Sequence, residues 1–520
     1  MIKKENIVNY MLILLILLGI FLRFYGLPSE YIWSDEQYSF VSAIKIHSQD
    51  LKSGIMYFQE HPGLGKWLVA LPVNFISANY APINALGPNM FTWAFIGYEA
   101  VTKNYVAIRI MNAILGSLAI LFIYLIMKKL FNKEAALWGA AIMAISPDMI
   151  AYSRHEILMK IISISLVLGT LFFYIKYLSE KSEDKKWLYL GMTILVMTFA
   201  IGSRNFDPLF IIPTLIISQF FINREKNKLK ENLIVTGLII ASFLFVFYYT
   251  YPSEAKAFAQ QHLQAESPFQ LLGFTFPSMI VFALTRNSYI FSLTFILIVI
   301  SFIYYLINKN KSDKESGLVN LLNFTKNKDI KSVLIIFLAV SFFGIGLTRL
   351  GSGHMYNITF YASVFLLAGL IISKLISKYK VLKYVFILIL IINIVQVIPN
   401  FPYSTWEYSN LGLGKRFYEN NFDKEIPDSI LNELNSRNNP PVMTSSLNTL
   451  VFYKGEKIPI VILQESRCNE EYFKAILKSK ILIIHKEEIT KDQYICQIYK
   501  SLPLKEVKNF KNQAFIYEII

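Results

Sequence analysis

Long, uninterrupted apolar segments recur along the chain, and this feature restricts its fold more than any other. Apolar runs of about 18 or more residues match the thickness of the hydrocarbon core of a bilayer. Hydrophobic residues make up 54% of the 520 positions and charged residues only 17%. The sequence therefore predicts a polytopic α-helical membrane protein with about eleven transmembrane helices. The predicted spans are residues 8–25, 107–127, 135–152, 157–178, 187–203, 208–222, 233–251, 288–307, 332–348, 357–376 and 381–398.

Basic residues occupy every second loop between these spans, on the same side as Lys3 and Lys4. The positive-inside rule places such loops in the cytoplasm, so the N-terminus is expected there. An odd number of spans then puts the C-terminus outside a cell membrane. Topology thus accounts for the net charge of +15, and no nucleic-acid partner is expected. The basic loops contain Lys128–Lys133, Lys181–Lys186, Arg224–Lys230, Lys309–Lys331 and Lys374–Lys383.

Two regions outside the spans differ from ordinary loops. The outer loop 26–106 contains aromatic, amphipathic pieces that suit helices at the membrane interface. The sequence becomes mixed after residue 398, which predicts a transmembrane domain over 1–398 and a small extracytoplasmic α/β domain over 399–520. Cys468 and Cys496 both fall in the second domain, and the sequence leaves a bridge between them open. In that domain, helical patterns at 427–437 and 469–478 alternate with strand-like runs at 441–444, 458–462 and 481–484.

The pair Asp35–Glu36 follows the first span by about ten residues. Two adjacent carboxylates at the mouth of a helical bundle can act as a general base and its electrostatic partner. They can equally bind a divalent cation through oxygen ligands. A solvated acidic turn or a helix cap is the plain alternative, and the pair alone does not decide among the three.

The segment His61-Pro62-Gly63-Leu64-Gly65-Lys66 lies in the same outer loop. Its Pro-Gly-x-Gly core predicts a tight turn that carries a proton-transfer group and a cation, His61 and Lys66. A purely structural turn is the alternative.

Several basic residues lie at the outer ends of spans, where the positive-inside rule does not explain them. A guanidinium group binds phosphate through two parallel hydrogen bonds, so a converging set suits a lipid-linked phosphate. The alternative for each one is snorkelling to the interface or pairing with a neighbouring carboxylate. The set comprises Arg154, Arg204, Arg286 and Arg349, with His354 close to the last of them.

The order of these motifs resembles that of a known enzyme group. The first span, Asp35–Glu36, the His-Pro turn with Lys66, Arg109, Ser146-Pro147-Asp148 and Tyr152-Ser153-Arg154 follow one another as they do in the dolichyl-phosphate-mannose protein mannosyltransferases and the bacterial aminoarabinose transferases. These are C-type membrane glycosyltransferases, which move a sugar from a polyprenyl-phosphate donor on the extracytoplasmic side. The resemblance is specific over about residues 1–180 and architectural beyond them.

The resemblance implies a hexosyl- or pentosyltransferase whose acceptor is a hydroxyl of a protein, lipid or glycan. Asp35 matches the catalytic base, and Glu36 would orient or replace it. His61 and Lys66 match the turn beside the site, and Arg154 would stabilise charge on the donor phosphate. No cofactor is implied, although a divalent cation at Asp35–Glu36 stays open.

This sequence departs from the family in two respects. The family often has an Asp shortly after Ser-Arg, where this chain has Glu156, and the tail lacks the repeated sugar-binding modules of eukaryotic members. One rival is a metal-dependent oligosaccharyltransferase, but the chain contains no Trp-Trp-Asp motif; its nearest look-alike is Trp406-Glu407. The other is a lipid or solute transporter, which would show mid-span charges and two related halves.

Overall fold

The computed structural model describes most of the helical part of the chain and the strands of its tail. The described residues are 4–25, 62–73, 98–154, 159–204, 207–223, 228–250, 330–346, 358–397, 442–444, 460–462, 481–485, 504–510 and 514–519, with isolated positions at 27, 39, 42, 43, 46, 429, 432, 433, 436 and 437.

The helices lie where the apolar runs predict them. They overlap every predicted span except 288–307, which is outside the described residues. Within the described parts, four helices are long and apolar enough to cross a membrane, by length and composition: Val106–Leu130, Lys160–Ser179, Glu183–Ser203 and Leu229–Tyr249. The full bounds are α1 Lys4–Phe24, α2 Gly63–Ala70, α3 Tyr98–Leu130, α4 Lys133–Ile145, α5 Pro147–Arg154, α6 Lys160–Ser179, α7 Glu183–Ser203, α8 Ile211–Ile222, α9 Leu229–Thr250, α10 Ser332–Gly346, α11 Ile358–Lys378 and α12 Leu382–Val397.

The predicted span 135–152 is divided into α4 and α5. Ser146 between them has extended backbone, with ψ at 119°. Pro147 causes the break, because its ring disfavours helical geometry in the preceding residue and it has no N–H to donate. The short α5 therefore turns away from the axis of α4.

The tight turn predicted around residues 61–67 is wrong from Gly63 onward, where α2 begins. Pro62 is the extended residue before the helix, with φ −61° and ψ 153°. The fixed φ of proline suits the start of a helix, and the apolar residues that follow allow it to continue to Ala70.

Helices α4 and α11 cross with their backbones in contact. A Cβ atom on Gly369 would lie 2.5 Å from the backbone oxygen of Ala135 and 2.8 Å from the backbone nitrogen of Gly139. Small residues at such a crossing allow the close approach that van der Waals packing between membrane helices requires.

The bundle has two ends that differ in their chemistry. At the end where α6 stops and α7 and α9 start, Tyr177 donates to Glu231 at 2.5 Å, and Lys186 pairs with the same carboxylate at 2.7 Å. Gln219 extends this network by donating to Asn232 at 2.9 Å. The other end, where α1, α5 and α7 stop and α6 starts, is called the site end below.

The tail contains a mixed five-stranded sheet in the order β2-β1-β3-β5-β4. The first three strands are parallel and coincide with the predicted strand segments, whereas the antiparallel β4 and β5 were not predicted. The domain boundary at residue 398 and both cysteines lie outside the described residues. The strands are β1 Val442–Thr444, β2 Ile460–Ile462, β3 Ile481–His485, β4 Leu504–Phe510 and β5 Ala514–Ile519.

Candidate functional site

Helix α2 contacts the end of α7 at a distance that only glycine permits. A Cβ atom on Gly65 would lie 2.5 Å from the backbone oxygen of Ser203, 2.9 Å from its Cα, and in overlap with the sulfur of Met159. The contact is reciprocal, because a Cβ atom on Gly202 would overlap the side chain of Leu64. The Gly-Leu-Gly stretch therefore fixes α2 at the site end of α7.

This contact gathers three basic residues. Lys66, Lys160 and Arg204 each directly follow one of the three residues that meet there, and consecutive Cα atoms are about 3.8 Å apart. All three side chains are only 1% exposed. Residues far apart in the sequence thus supply a compact group of buried positive charges.

The charge of Lys66 is weakly held. Burial lowers the pKa of Lys66 from its ordinary value of 10.5 to about 7, because desolvation disfavours the ammonium form. An anion close to the amino group would favour the charged form again. Lys66 is therefore suited to respond to the arrival of a negatively charged ligand.

A second contact joins α1 to α5 through two arginines. Arg23 of α1 donates from Nε to Ser153 Oγ of α5 at 3.1 Å. In return, Arg154 of α5 donates from Nε to the backbone oxygen of Leu22 in α1 at 2.9 Å. Both guanidinium groups are fully buried. This exchange fixes the last turn of α1 against the last turn of α5.

Tyr152 connects the two groups of cations. The amino group of Lys160 lies 4.7 Å above the centre of the Tyr152 ring, a cation–π contact two residues before Arg154. Arg109 of α3 adds a further buried charge and donates to the backbone oxygen of Leu27 at 2.7 Å. Together, α1, α2, α3, α5, α6 and α7 bring six buried basic side chains to the site end.

This arrangement is suited to binding an anion. In the described part of the chain, no Asp or Glu side chain is buried to the same degree as these cations. Burial of an uncompensated charge costs several kcal/mol, so a cluster of six calls for negative partners. The acidic residues of this region have side chains outside the described residues: Asp35, Glu36, Asp148, Glu156 and Asp207.

Met159 has a strained backbone at the centre of this cluster. Its φ is 57° and its ψ is 27°, the left-handed region, and no other non-glycine residue in the described ranges has positive φ. This conformation costs a side-chain-bearing residue about 1–2 kcal/mol. It starts α6 so that the Met159 side chain packs on Gly65 and Lys160 enters the bundle.

The structure describes three of the nine residues that the sequence analysis selected. Lys66, Arg154 and Arg204 all lie at the site end, and all are buried in the protein interior. The remaining six lie outside the described residues: Asp35, Glu36, His61, Arg286, Arg349 and His354.

The sequence analysis missed Arg23 and Lys160 as members of the site. Both lie at the site end of an apolar span, as Arg154 and Arg204 do, and the positive-inside rule leaves all four unexplained. Applying that rule to every span end would have found them. Their partners in α2 and α5 could not be read from the sequence, since the contacts join segments more than 90 residues apart.

Comparison with known proteins gives one family match by sequence. Residues 87–249 match the model of the dolichyl-phosphate-mannose-protein mannosyltransferases. The matched segment contains Arg109, Arg154, Lys160 and Arg204; it starts after Asp35–Glu36 and extends beyond the motifs used above. A comparison with curated proteins finds no match.

Solved structures match over almost the whole chain. The crystal structure of ArnT from Cupriavidus metallidurans bound to undecaprenyl phosphate superimposes with a TM-score of 0.57 at 12% identity, covering 99% of this chain and 98% of that one. The Archaeoglobus fulgidus oligosaccharyltransferase in its apo form gives 0.49 at 13% identity, covering 93% and 70%. The Pmt1–Pmt2 protein O-mannosyltransferase complex of S. cerevisiae gives 0.35 at 17% identity, covering 48% and 34%.

The family match and the superposition on ArnT agree in kind. One rests on the sequence of α3 to α9 and the other on the path of nearly the entire chain. By family match and by fold, the chain is therefore related to the C-type membrane glycosyltransferases of the protein mannosyltransferase and aminoarabinose transferase type.

Proposed function

We propose that this protein transfers a sugar from a polyprenyl-phosphate donor to a hydroxyl acceptor on the extracytoplasmic face of a cell membrane. The observation that carries the proposal is the cluster of six buried basic side chains at the site end. A phosphate placed there gains charge-assisted hydrogen bonds in a water-poor interior. The ArnT structure, which has the same fold, was solved with undecaprenyl phosphate bound.

The proposed reaction needs a base and a phosphate clamp. Asp35 accepts the proton of the acceptor hydroxyl as its oxygen attacks the anomeric carbon of the sugar. The bond between that carbon and the phosphate oxygen breaks, and its electron pair leaves with the polyprenyl phosphate. Attack opposite the leaving group inverts the anomeric configuration. The developing negative charge is stabilised by fixed cations that need no reorganisation during the reaction.

Three described residues are assigned to the donor phosphate. Lys66 and Arg204 approach it from the α2–α7 contact, and Arg154 approaches it from the end of α5. Glu36 supports the base. The other four assignments rest on sequence alone, and they place His61, Arg286, Arg349 and His354 around the donor.

The direct test incubates the purified full chain with a panel of polyprenyl-phosphate sugars and measures which donor is consumed. Asp35→Asn should abolish transfer, and Asp184→Asn should not. The latter makes the same chemical change on an exposed residue of α7 at the opposite end. Consumption of no donor by the wild-type protein, or full activity of Asp35→Asn, would refute the proposal.

Two further measurements examine the roles of the charges. Arg154→Ala should weaken donor binding more than acceptor binding, and equal effects would contradict a phosphate role. Loss of activity with chelators, restored by a divalent cation, would favour a metal at Asp35–Glu36.

A further inference from the structure

Arg23 has no assigned role in the reaction above, yet its environment is the most completely defined of the six cations. Its guanidinium group makes four hydrogen bonds, and all of them are to the protein. Nε donates to Ser153 Oγ at 3.1 Å, Nη1 to Gly19 O and Ala144 O at 3.0 Å each, and Nη2 to Met143 O at 2.9 Å. Four of the five N–H donors of an arginine are thus used on three helices.

Two of these bonds go to the end of α4. The last carbonyl groups of a helix have no partner inside it, and a cation placed there also interacts favourably with the helix dipole. At this position the break before Pro147 prevents the chain from continuing the helical hydrogen bonds. Arg23 therefore replaces those bonds and fills the angle between α4 and α5.

The same guanidinium group holds α5 and the end of α1 together. Ser153 accepts from Arg23 and donates to Met149 O at 2.6 Å, so its hydroxyl is fixed from both sides. Gly116 of α3 packs directly against Ser153, where any Cβ atom would overlap the hydroxyl oxygen. The joint is therefore closed on the α3 side as well.

The backbone that follows Arg23 leads to the proposed base. Arg154 binds the carbonyl of Leu22 and Arg109 binds the carbonyl of Leu27, on either side of the point where α1 ends. Asp35 lies eight residues after Leu27. The direction in which the chain leaves α1 is thus set by three arginines through hydrogen bonds to a short segment.

We infer that Arg23 is a positioning residue for the transfer reaction, and that it fixes the segment carrying Asp35 relative to the donor site. The inference rests on the proposed function. It differs from a role in binding phosphate, because the four hydrogen bonds of Arg23 are all made to the protein. Reactivity depends on geometry so steeply that a displacement of about 1 Å costs roughly 100-fold in rate.

The experiment compares Arg23→Lys with the wild-type full chain under saturating acceptor. Lysine keeps the positive charge, but its single ammonium group cannot span four acceptors on three helices. We expect kcat to fall by about 100-fold while the donor Kd changes by less than about threefold. If Arg23 acts only through its charge, Arg23→Lys keeps the wild-type kcat, and that result would overturn the inference.

Two further variants keep the test decisive. Ser153→Ala retains every charge and deletes one of the four bonds, so it should fold and lower kcat by about three- to tenfold, in line with the loss of one such bond; an unchanged kcat would contradict the inference even if Arg23→Lys does not fold. Tyr177→Phe loses a buried hydrogen bond at the opposite end and should keep its kcat. If Tyr177→Phe loses as much activity as Ser153→Ala, general destabilisation explains both. Failure of the proposed function is distinguishable, because the wild-type protein would then consume no donor.

Discussion

Substitution of Gly65 by alanine tests whether the close contact of α2 with α7 sets the geometry of the site. The new Cβ atom would lie 2.5 Å from Ser203 O, whereas ordinary contacts begin at 3.4 Å, so the two segments must separate by about 0.9 Å. Backbone atoms cannot rotate away as a side chain can. Overpacking of this kind costs about 1–3 kcal/mol. Because Lys66 is the next residue, we expect its displacement to lower the transfer rate by about 100-fold.

Two other glycines provide graded controls for this variant. Gly202→Ala meets only the side chain of Leu64, which can adjust, so its effect should be smaller. Gly191→Ala lies on the same helix α7 with nothing within 4 Å of the new Cβ atom, so it should be neutral or slightly stabilising. The assay measures thermal unfolding, donor Kd and transfer rate for all three purified variants. Gly65→Ala with the stability and activity of Gly191→Ala would refute the reasoning.

Three further variants test other parts of the structure. Because the pKa of Lys66 is lowered to about 7, the unfolded chain retains this proton between pH 7 and 10.5 when the folded chain does not. Stability without donor should therefore rise with pH over that window, donor affinity should fall over it, and Lys66→Met should flatten both curves. Gly369→Ala should separate α11 from Ala135 of α4 and destabilise the protein by about 1–3 kcal/mol in thermal unfolding; a neutral effect would contradict the close crossing. Tyr177→Phe should lose about 1–3 kcal/mol because Glu231 loses a buried donor, with donor affinity unchanged, and a weaker donor affinity would show that the two ends are coupled.

The sequence predicted the helical architecture well because the physical signal is strong and local. An apolar run of about 20 residues has few alternatives to a membrane-spanning helix. The exceptions are the break at Ser146 and the helix at Gly63, where a proline acts in opposite ways. Pro147 ends one helix before starting another, whereas Pro62 only precedes a helix that the notation of a Pro-Gly turn had hidden. Local composition did not distinguish these outcomes.

The site was predicted in part, through charges that the membrane topology could not explain. That reasoning selected Lys66, Arg154 and Arg204, which the structure brings to one end of the bundle. It could not show that Arg23 binds α4 and α5, because that depends on how three helices pack around one guanidinium group. The tail strands β4 and β5 were missed since their sequences alternate charged and apolar residues without a distinct turn signal.

The crossing of α4 and α11 also has a consequence for how the protein is made. Gly139 and Gly369 are 369 − 139 = 230 residues apart in the chain, yet their backbones touch. At translation rates of about 5–20 residues per second, α11 emerges roughly 10–45 s after α4. During that interval the small-residue face of α4 has no native partner from α11. Completion of the bundle therefore depends on a late arrival, and slowing synthesis between the two helices would lengthen the life of the open intermediate.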